Sequence, residues 1–477
     1  MGAPQRPTEG LTRRAFLGHG AFGLGSIALL SLLSPRLLAA DVGVDAEHWN
    51  GVANPPPLVP RAKRVIQLYM AGGPSQLETF DYKPKLAAMD GQPMPASVTN
   101  GQPIAQLQHS KLVCMGPQFD FKRFGDSGQQ ICTLLPHTAK VADSICVIRS
   151  MQTDQINHAP AHVFMNTGSL VPGRPSMGSW MLYGLGSESD DLPGYVVMVT
   201  SSPTSVQPIS SQMWQSGFLP SRFQGVQFQS KGSPVNYLSR PDGVSPEQQR
   251  EVIDAIRRID ELTAGTRRDP EIAARVSQYE TAARMQASVP ELTDLSSEPN
   301  SVLDLYGTNG HDSTFAANCL MARRLVERGV RFVQVCHNGW DHHSGIRRNM
   351  QILAGDTDRA CAALVLDLKQ RGMLDDTLVI WGGEFGRTPM AQLNGRDHHI
   401  RGFSMWMAGG GIRGGLTYGA TDDLGYFAVE NPVHVHDFHA TVLYLLGIDH
   451  KRLTYRYRGR DFRLTDEFGQ VVHGIVT

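Results

Sequence analysis

Short apolar segments that end in glycine or polar residues recur along the chain and alternate with helical patterns. The apolar segments are residues 65–70, 145–148, 332–336, 378–381 and 403–407. Segments that are apolar at nearly every position are typical of strands covered on both faces of a parallel sheet. The helical patterns at residues 315–328 and 358–371 are each followed by a glycine, which commonly ends a helix. The sequence therefore predicts an α/β fold with a doubly wound, mostly parallel sheet and helices on both faces.

The first forty residues have the pattern of a twin-arginine export signal. Arg13 and Arg14 precede Phe16-Leu17, an uncharged apolar stretch covers residues 21–33, and Ala39-Ala40 follow. The apolar stretch is shorter than the ~20 residues that a membrane-spanning helix needs. We therefore expect export by the twin-arginine route to the periplasm or the cell surface, with membrane contact only through this signal.

The rest of the chain divides into a lead-in and one α/β domain. Residues 41–61 contain a proline run and are predicted to form an extended lead-in. Residues 62–477 carry the alternation of strands and helices. Within them, residues 245–290 or thereabouts are amphipathic over a long stretch and are predicted to be a helical insertion.

Charge and cysteine content exclude some classes of function. The chain has 44 Lys+Arg against 45 Asp+Glu, so it lacks the basic excess that a nucleic-acid-binding protein uses. The six cysteines are widely spaced, form no CxxC pair and lie partly in apolar segments, which is typical of buried thiols. Of 17 histidines, eleven lie beyond residue 300, and they cluster in the loops that follow predicted strands.

Three polar clusters in the C-terminal half follow predicted strands directly. They are residues 339–344 with Asp341, His342 and His343, residues 383–389 with Glu384 and Arg387, and residues 395–399 with Asp397, His398 and His399. In open α/β sheets, ligands bind beyond the carboxyl ends of the strands. Carboxylate and imidazole together suit zinc or a similar divalent ion, and a carboxylate that does not bind metal can orient an imidazole. Surface or capping roles remain the alternative for each cluster taken alone.

Other polar residues have two interpretations each. Arg387 is either an oxyanion clamp or the partner of a nearby carboxylate. A fourth cluster, residues 434–439 with His436, opens a predicted helix that Asp437 can cap.

In the N-terminal half, a glycine-rich turn carries Ser75 and Glu78, and Glu78 is a candidate ligand. Asn157-His158 precedes His162, and in a helix His158 and His162 would face the same side.

Several of these motifs together resemble the domain-of-unknown-function family fifteen-oh-one, which is allied to the alkaline phosphatase/sulfatase superfamily. The motifs are Gly72-Gly73-Pro74-Ser75, Phe80-Asp81, Asn157-His158, Gly339-Trp340-Asp341, residues 383–389, 395–399 and 408–411, and the ending at residues 459–465. The resemblance implies an alkaline-phosphatase-like domain with one or two divalent metal ions, zinc or calcium. It implies the metal ligands Glu78, Asp341, His343, Glu384 and His398 or His399. The chain departs from the superfamily pattern at Phe385, where a histidine ligand is usual, and at Glu78 and Glu384, which replace aspartates.

The resemblance leaves the nucleophile open. The segment that ends in Asn166-Thr167-Gly168 looks like the sulfatase segment in which His158 would stand at the nucleophile and His162 at the usual arginine. Without a cysteine at this position, formylglycine chemistry is not supported. Hydrolysis would require a metal-activated water, His158 as nucleophile or acid/base, or a hydroxyl from Ser75 or Thr153.

These observations give two hypotheses for the function. The first is an exported metal-dependent hydrolase of phosphate or sulfate esters, acting on a small anionic ester or a sulfated carbohydrate. Its catalytic residues would be His158 and Arg387, with supporting or substrate-binding roles for Ser75, Asn157, His162, His342, Asp397 and His436. The second is a non-catalytic exported binding protein on the same scaffold.

Overall fold

The structure, a computed structural model, describes most of the chain after residue 48. The described residues are 49–200, 202–204, 207–229, 234–235, 243–263, 270–310 and 312–477. The predicted export signal and the beginning of the predicted lead-in, residues 41–48, lie outside them. None of the helices in these ranges is both long and apolar enough to cross a membrane.

The described residues form seventeen strands and ten α-helices. The strands are β1 Arg64–Ala71, β2 Phe121–Phe124, β3 Gln129–Cys132, β4 Ile145–Gln152, β5 Tyr195–Thr200, β6 Val226–Phe228, β7 Phe332–Asn338, β8 Thr377–Gly382, β9 Gly386–Gln392, β10 Gly395–His399, β11 Phe403–Ala408, β12 Thr417–Tyr418, β13 Ala420–Thr421, β14 Ala428–Glu430, β15 Val433–His434, β16 Tyr455–Tyr457 and β17 Arg460–Phe462. The helices are α1 Pro84–Ala88, α2 Ala96–Thr99, α3 His158–Thr167, α4 Met177–Leu185, α5 Pro246–Thr263, α6 Pro270–Thr293, α7 Asn300–Tyr306, α8 Phe315–Glu327, α9 Ile346–Gln370 and α10 Val435–Leu445.

A central sheet of nine strands organises the fold. Its order is β12-β4-β11-β8-β1-β7-β5-β6, with β15 also paired to β4. All pairings in it are parallel except those that β11 makes with β4 and β8. The five apolar segments of the sequence all belong to this sheet, and the predicted mostly parallel α/β fold is confirmed.

Helices cover both faces of the sheet, as the doubly wound prediction requires. Alternate residues of β1 point to opposite faces, so Leu68 packs in the core under α8 and α9, while Tyr69 packs in the core under α3, α4 and α10. Helix α6, in the predicted helical insertion, buries Met285 and Val289 in the first of these cores. Helix α9 begins at Ile346, twelve residues before the predicted start, because Met350 and Leu353 continue its buried face toward the N-terminus.

The parallel strands end at one edge of the sheet, and most of the polar motifs follow them there. Ala71 at the end of β1 is level with Asn338 at the end of β7, and β8 ends beside β1. One motif lies elsewhere. Because β11 runs antiparallel to β8, the glycines at residues 409–411 lie at the opposite edge, where a Cβ on Gly409 would meet the carbonyl oxygen of Thr377 at the start of β8.

Candidate metal centre

Four side chains from three separate segments meet at the carboxyl edge of the sheet. Asp341 and His343 follow β7, His158 is the first residue of α3, and His398 lies on β10. Their ligand atoms all lie within 4.8 Å of one another. The side chains of Asp341 and His343 are 18% and 20% exposed, so the group is open to solvent on one side.

One oxygen of Asp341 is the centre of this group. Its Oδ1 lies 3.0 Å from Nε2 of His343, 3.2 Å from Nε2 of His158 and 3.5 Å from Nε2 of His398. The Nε2 atoms of His343 and His398 are 2.9 Å apart. Three imidazole nitrogens and a carboxylate oxygen thus face a common point.

The other nitrogen of each imidazole ring faces an oxygen. Nδ1 of His158 lies 2.6 Å from Oε1 of Glu384, and Nδ1 of His398 lies 2.7 Å from the carbonyl oxygen of Ile156. Nδ1 of His343 is hydrogen-bonded to Oε1 of Gln392. Because these oxygens accept, each Nδ1 carries the proton and each neutral ring presents an unprotonated Nε2. The lone pairs then converge and repel one another unless a proton or a metal ion lies between them.

The pKa values of Asp341 and His158 both favour positive charge within the group. Burial acts to raise the pKa of Asp341, but contacts with His158, His343 and His398 and the charge of Arg387 hold it well below its usual range. Burial acts to lower the pKa of His158, but Asp341 and Glu384 together raise it. In the absence of a metal ion, His158 therefore takes up a proton more readily than an ordinary histidine does.

Alternation of side chains explains which histidines enter the group. Strands β9 and β10 form an antiparallel hairpin with an irregularity between Arg396 and His398. Adjacent residues of a strand point to opposite sides, so His398 enters the group and His399 cannot. Asp341 and His343 lie together in the loop after β7, and His342 between them takes a separate buried position.

Four of the predicted metal ligands, Asp341, His343, His398 and Glu384, lie in or beside the group, and two do not. Nε2 of His399 lies 2.5 Å from the carbonyl oxygen of Tyr426. Glu78, fully buried, forms a bidentate ion pair with Arg396, at 2.7 Å from Oε1 to Nη2 and 3.0 Å from Oε2 to Nε. The assignment of Glu78 and His399 as ligands is therefore corrected, because their donor atoms are already engaged elsewhere.

The buried position of His399 gives a pH-dependent prediction. Burial, the largest effect, lowers its pKa to about 4, below the value of about 6.5 in an unfolded chain. Between these values the unfolded state binds more protons, so stability falls as pH falls, by at most about 1.4 kcal/mol per pH unit from this residue. Glutamine at this position can still donate to Tyr426 and does not titrate.

We expect the free energy of unfolding of His399→Gln to depend less steeply on pH between 6.5 and 4 than that of the unmodified protein, measured by urea denaturation. Gln108→Ala, at an exposed position that does not titrate, is the control and should keep the original slope. Equal slopes for His399→Gln and the unmodified protein would contradict the prediction.

Arg387 holds Asp341 and does not face solvent. Its side chain is 1% exposed, and Nη2 lies 2.7 Å from Oδ1 of Asp341. Nε donates to the carbonyl oxygen of Gly73, Nη1 to that of Arg396 and Nη2 also to that of Gly72. With these donors engaged, the oxyanion-clamp interpretation is corrected in favour of the ion pair.

The remaining predicted residues take structural positions around the group. Ser75 donates to Glu78, Asp397 accepts from the backbone of Gln106 and Leu107, and Asn157 is the N-cap of α3 without a side-chain cap bond. Nδ1 of His162 lies 2.9 Å from the Tyr69 hydroxyl. Burial and the charge of Arg387 lower the pKa of His342 to about 3, so it is neutral.

His436 lies outside the group, in the fourth cluster. Its Nε2 lies 2.8 Å from the carbonyl oxygen of Gly168, and it lines a separate cavity of about 560 Å³ with Asp154 and Phe468. The predicted cap is present, since Asp437 accepts from the backbone N–H of His434 at 3.0 Å and caps α10.

Sequence reasoning did not reveal the roles of several residues that support the group. Phe385, where the superfamily pattern has a ligand, packs 4.8 Å from the ring centres of both His158 and His398 and forms an apolar wall. Gly73 leaves room for this ring, because a Cβ there would meet it at 2.7 Å. Gln392 carried no signal in the sequence. Arg396 did stand inside a polar motif, but the motif did not reveal that Glu78 is its partner.

The donor set fits zinc better than calcium. Zinc sites combine imidazole nitrogen with carboxylate oxygen, usually with four ligands, and a fixed outer hydrogen bond on each histidine is typical of them. Calcium takes six to eight oxygen ligands. His158, Asp341, His343 and His398 supply three nitrogens and one oxygen from the carboxylate.

Comparison with known proteins identifies a family. The family model described as "Protein of unknown function (DUF1501)" matches residues 62–476. No curated protein matches the chain.

Solved structures with similarity to the chain include a sulfatase, a lipoteichoic acid synthase and a protein in the alkaline phosphatase superfamily. The PsFucS1 sulfatase from Pseudoalteromonas sp. is 12% identical, with a TM-score of 0.34, over 83% of this chain and 69% of that chain. The lipoteichoic acid synthase LtaP from Listeria monocytogenes is 10% identical, with a TM-score of 0.34, over 85% and 77%. A protein in the alkaline phosphatase superfamily from Vibrio parahaemolyticus is 9% identical, with a TM-score of 0.35, over 83% and 70%. Likeness at this level transfers no activity to this chain.

Proposed function

The chain belongs to the DUF1501 family, and we propose that it is an exported, metal-dependent hydrolase of phosphate or sulfate esters. The observation that carries this proposal is the convergence of three imidazole nitrogens on Oδ1 of Asp341 at 3.0–3.5 Å. The group is partly open to solvent, so that a small ester can reach it. The export part of the proposal rests on the twin arginines at positions 13 and 14.

The proposed ligands are His158, Asp341, His343 and His398, and the proposed ion is zinc. A divalent ion bound there supplies Lewis acidity toward an anionic oxygen and activates water. Glu384, Gln392 and the carbonyl oxygen of Ile156 hold the three rings in the orientation that such an ion requires. Arg387 fixes Asp341 from the buried side.

Besides the proposed metal ion, the N-terminus of helix α3 can bind an anion. His158 is its first residue, and the N-cap Asn157 makes no side-chain hydrogen bond to the helix. The N–H groups at a helix N-terminus bind phosphate and sulfate oxygens, and the helix dipole favours negative charge there. We infer that the backbone N–H groups of His158 and Ala159 orient the ester beside the ligand group.

Water is the proposed nucleophile. Nδ1 of His158 is held by Glu384, and its Nε2, which has no hydrogen-bond partner, faces the ligand group, so we assign this residue to the metal ion and not to nucleophilic or acid/base catalysis. Ser75 donates to Glu78, and all six cysteines are buried outside the group. In the proposed reaction the water oxygen bonds to phosphorus or sulfur, the ester bond to the alcohol oxygen breaks, and the alcohol leaves with a proton.

We expect the purified mature chain to retain zinc and to hydrolyse an aryl phosphate or an aryl sulfate. Treatment with a chelator should remove the metal and the activity together, and added zinc should restore both. Metal content is measured by mass spectrometry and activity by release of p-nitrophenol from its phosphate and sulfate esters. A purified chain that holds no metal and does not bind added zinc would overturn the proposal.

A binding protein without turnover is the second candidate. It is favoured by the position of His158, which stands where a nucleophile would be expected and whose Nδ1 is held by Glu384. Stable retention of zinc without hydrolysis of a broad panel of phosphate and sulfate esters would decide for it.

A further inference from the structure

A second group of metal-ligand type lies directly behind the first and shares His158 with it. It consists of His158, His162 and Glu384, whose donor atoms also lie within 4.8 Å of one another. We propose that this group is not a second metal site but a buried positioning chain, running from Tyr69 through His162 and Glu384 to His158. This inference rests on the metal site of the proposed function and deepens it, since it fixes the number of ions at one.

Interatomic distances separate the two groups. In a tetrahedral zinc site, two ligand atoms lie about 3.3 Å apart, because each is bound at about 2.0–2.1 Å. The contacts of Asp341 with the three Nε2 atoms, at 3.0–3.5 Å, surround this value, and the distance between the Nε2 atoms of His343 and His398, 2.9 Å, lies below it. Nδ1 of His158 and Oε1 of Glu384, at 2.6 Å, are instead at the distance of a strong hydrogen bond.

The surroundings of Glu384 also suit an anion that accepts hydrogen bonds. Its side chain is fully buried, and the backbone N–H of Gly72 lies 3.0 and 3.2 Å from its two carboxylate oxygens. Gly72 can approach Glu384 because it has no Cβ. A Cβ at this position would lie 2.5 Å from the backbone nitrogen of Asp341. A buried carboxylate is costly unless it is paired and hydrogen-bonded, and these partners stabilise it without a metal ion.

His162 and Tyr69 complete the chain on the buried side. His162 lies one helical turn after His158, and its Nδ1 is hydrogen-bonded to the hydroxyl of Tyr69 at 2.9 Å. The same Nδ1 lies 3.5 Å from Oε2 of Glu384, which is a packing contact and not a second hydrogen bond. Tyr69 is held in β1, in the middle of the central sheet. The carboxylate of Glu384 is thus confined between the sheet and helix α3, and it presents one oxygen to His158.

The consequence is a fixed tautomer for His158. With Nδ1–H donated to Glu384, only Nε2 remains for a metal ion, and it faces Asp341. A carboxylate that holds a ligating histidine in this way changes metal affinity by about 10–100-fold when it is mutated. Glu384, His162 and Tyr69 are therefore positioning residues, and none of them touches the ion.

The test compares zinc stoichiometry and affinity in Glu384→Gln, His162→Gln and Tyr69→Phe. We expect one zinc ion per chain in the unmodified protein and in every variant. We expect Glu384→Gln to raise the dissociation constant for zinc 10–100-fold, and Tyr69→Phe to raise it less. In metal-free protein labelled with ¹⁵N-histidine, the signal of protonated Nδ1 of His158 should shift or disappear in Glu384→Gln. Glu430→Gln, exposed on β14, is the matched control and should change neither readout.

Two zinc ions per chain, reduced to one in Glu384→Gln, would overturn the inference and leave the proposed hydrolase intact. Unchanged affinity and an unchanged histidine spectrum in Glu384→Gln would also overturn it. One zinc ion without ester hydrolysis would overturn the proposed activity and leave the positioning chain intact. If Glu384→Gln fails to fold, Tyr69→Phe and His162→Gln carry the same readouts.

Discussion

Asp341→Asn is expected to weaken zinc binding more than about 100-fold, beyond the effect of changing an outer-shell partner. Asp341 supplies the only carboxylate of the proposed ligand set, and its Oδ1 contacts all three Nε2 atoms. The amide keeps the shape but removes the negative charge that both the metal ion and Arg387 require. Competition with a chromophoric chelator measures the affinity, and ester hydrolysis should be lost in parallel.

The matched control for Asp341→Asn is Asp423→Asn, whose side chain is 76% exposed and forms a surface ion pair with Lys85. It should bind zinc like the unmodified protein. His343→Gln removes a different proposed ligand and leaves the carboxylate of Asp341 in place. It should also lose zinc. If both ligand variants keep the original affinity, the proposed ligand set is wrong.

Arg396→Met is expected to lower the free energy of unfolding by about 3–5 kcal/mol, because it leaves Glu78 as a buried charge without its partner. Both side chains are fully buried, and Arg396 also donates to the carbonyl oxygens of Met115 and Gly116. The double variant Glu78→Leu/Arg396→Met removes both charges and should recover a large part of the loss. Urea denaturation of the metal-free proteins measures the effect.

Arg460→Met is the surface comparison for this buried pair. Arg460 and Asp466 are 50% and 32% exposed, and breaking such a pair changes stability by about 0–1 kcal/mol. A loss for Arg396→Met no larger than that for Arg460→Met would show that the buried ion pair does not stabilise the fold.

The sheet could be predicted from the sequence because its signal is local. Each central strand, such as β8, is apolar at nearly every position, and this pattern needs no knowledge of the strand's neighbours. The edge that carries the site follows from the same pattern, since parallel strands end together. The position of the glycines at residues 409–411 could not be predicted in this way, because the direction of β11 depends on its pairing, which the sequence does not state.

Side-chain partners within the site could not be predicted in the same way. His398 and His399 are equivalent in the sequence, and only the β9–β10 hairpin and its irregularity decide which of them enters the group. Glu78 looked like a free ligand because Arg396, its partner, lies 318 residues away in the chain. Tyr69 looked like an ordinary strand residue, and its contact with His162 arises only when α3 packs on the sheet.

The ligand group joins distant parts of the chain. Its hydrogen bond from His398 to the carbonyl oxygen of Ile156 connects positions 242 residues apart. An ion bound by His158, Asp341, His343 and His398 would act as a non-covalent cross-link over that span, absent from the unfolded chain. A ligand that binds only the folded state at a thousand times its dissociation constant adds about 4.1 kcal/mol of stability. The supply of metal ions would then determine how long the folded chain resists proteases, as well as whether it is active.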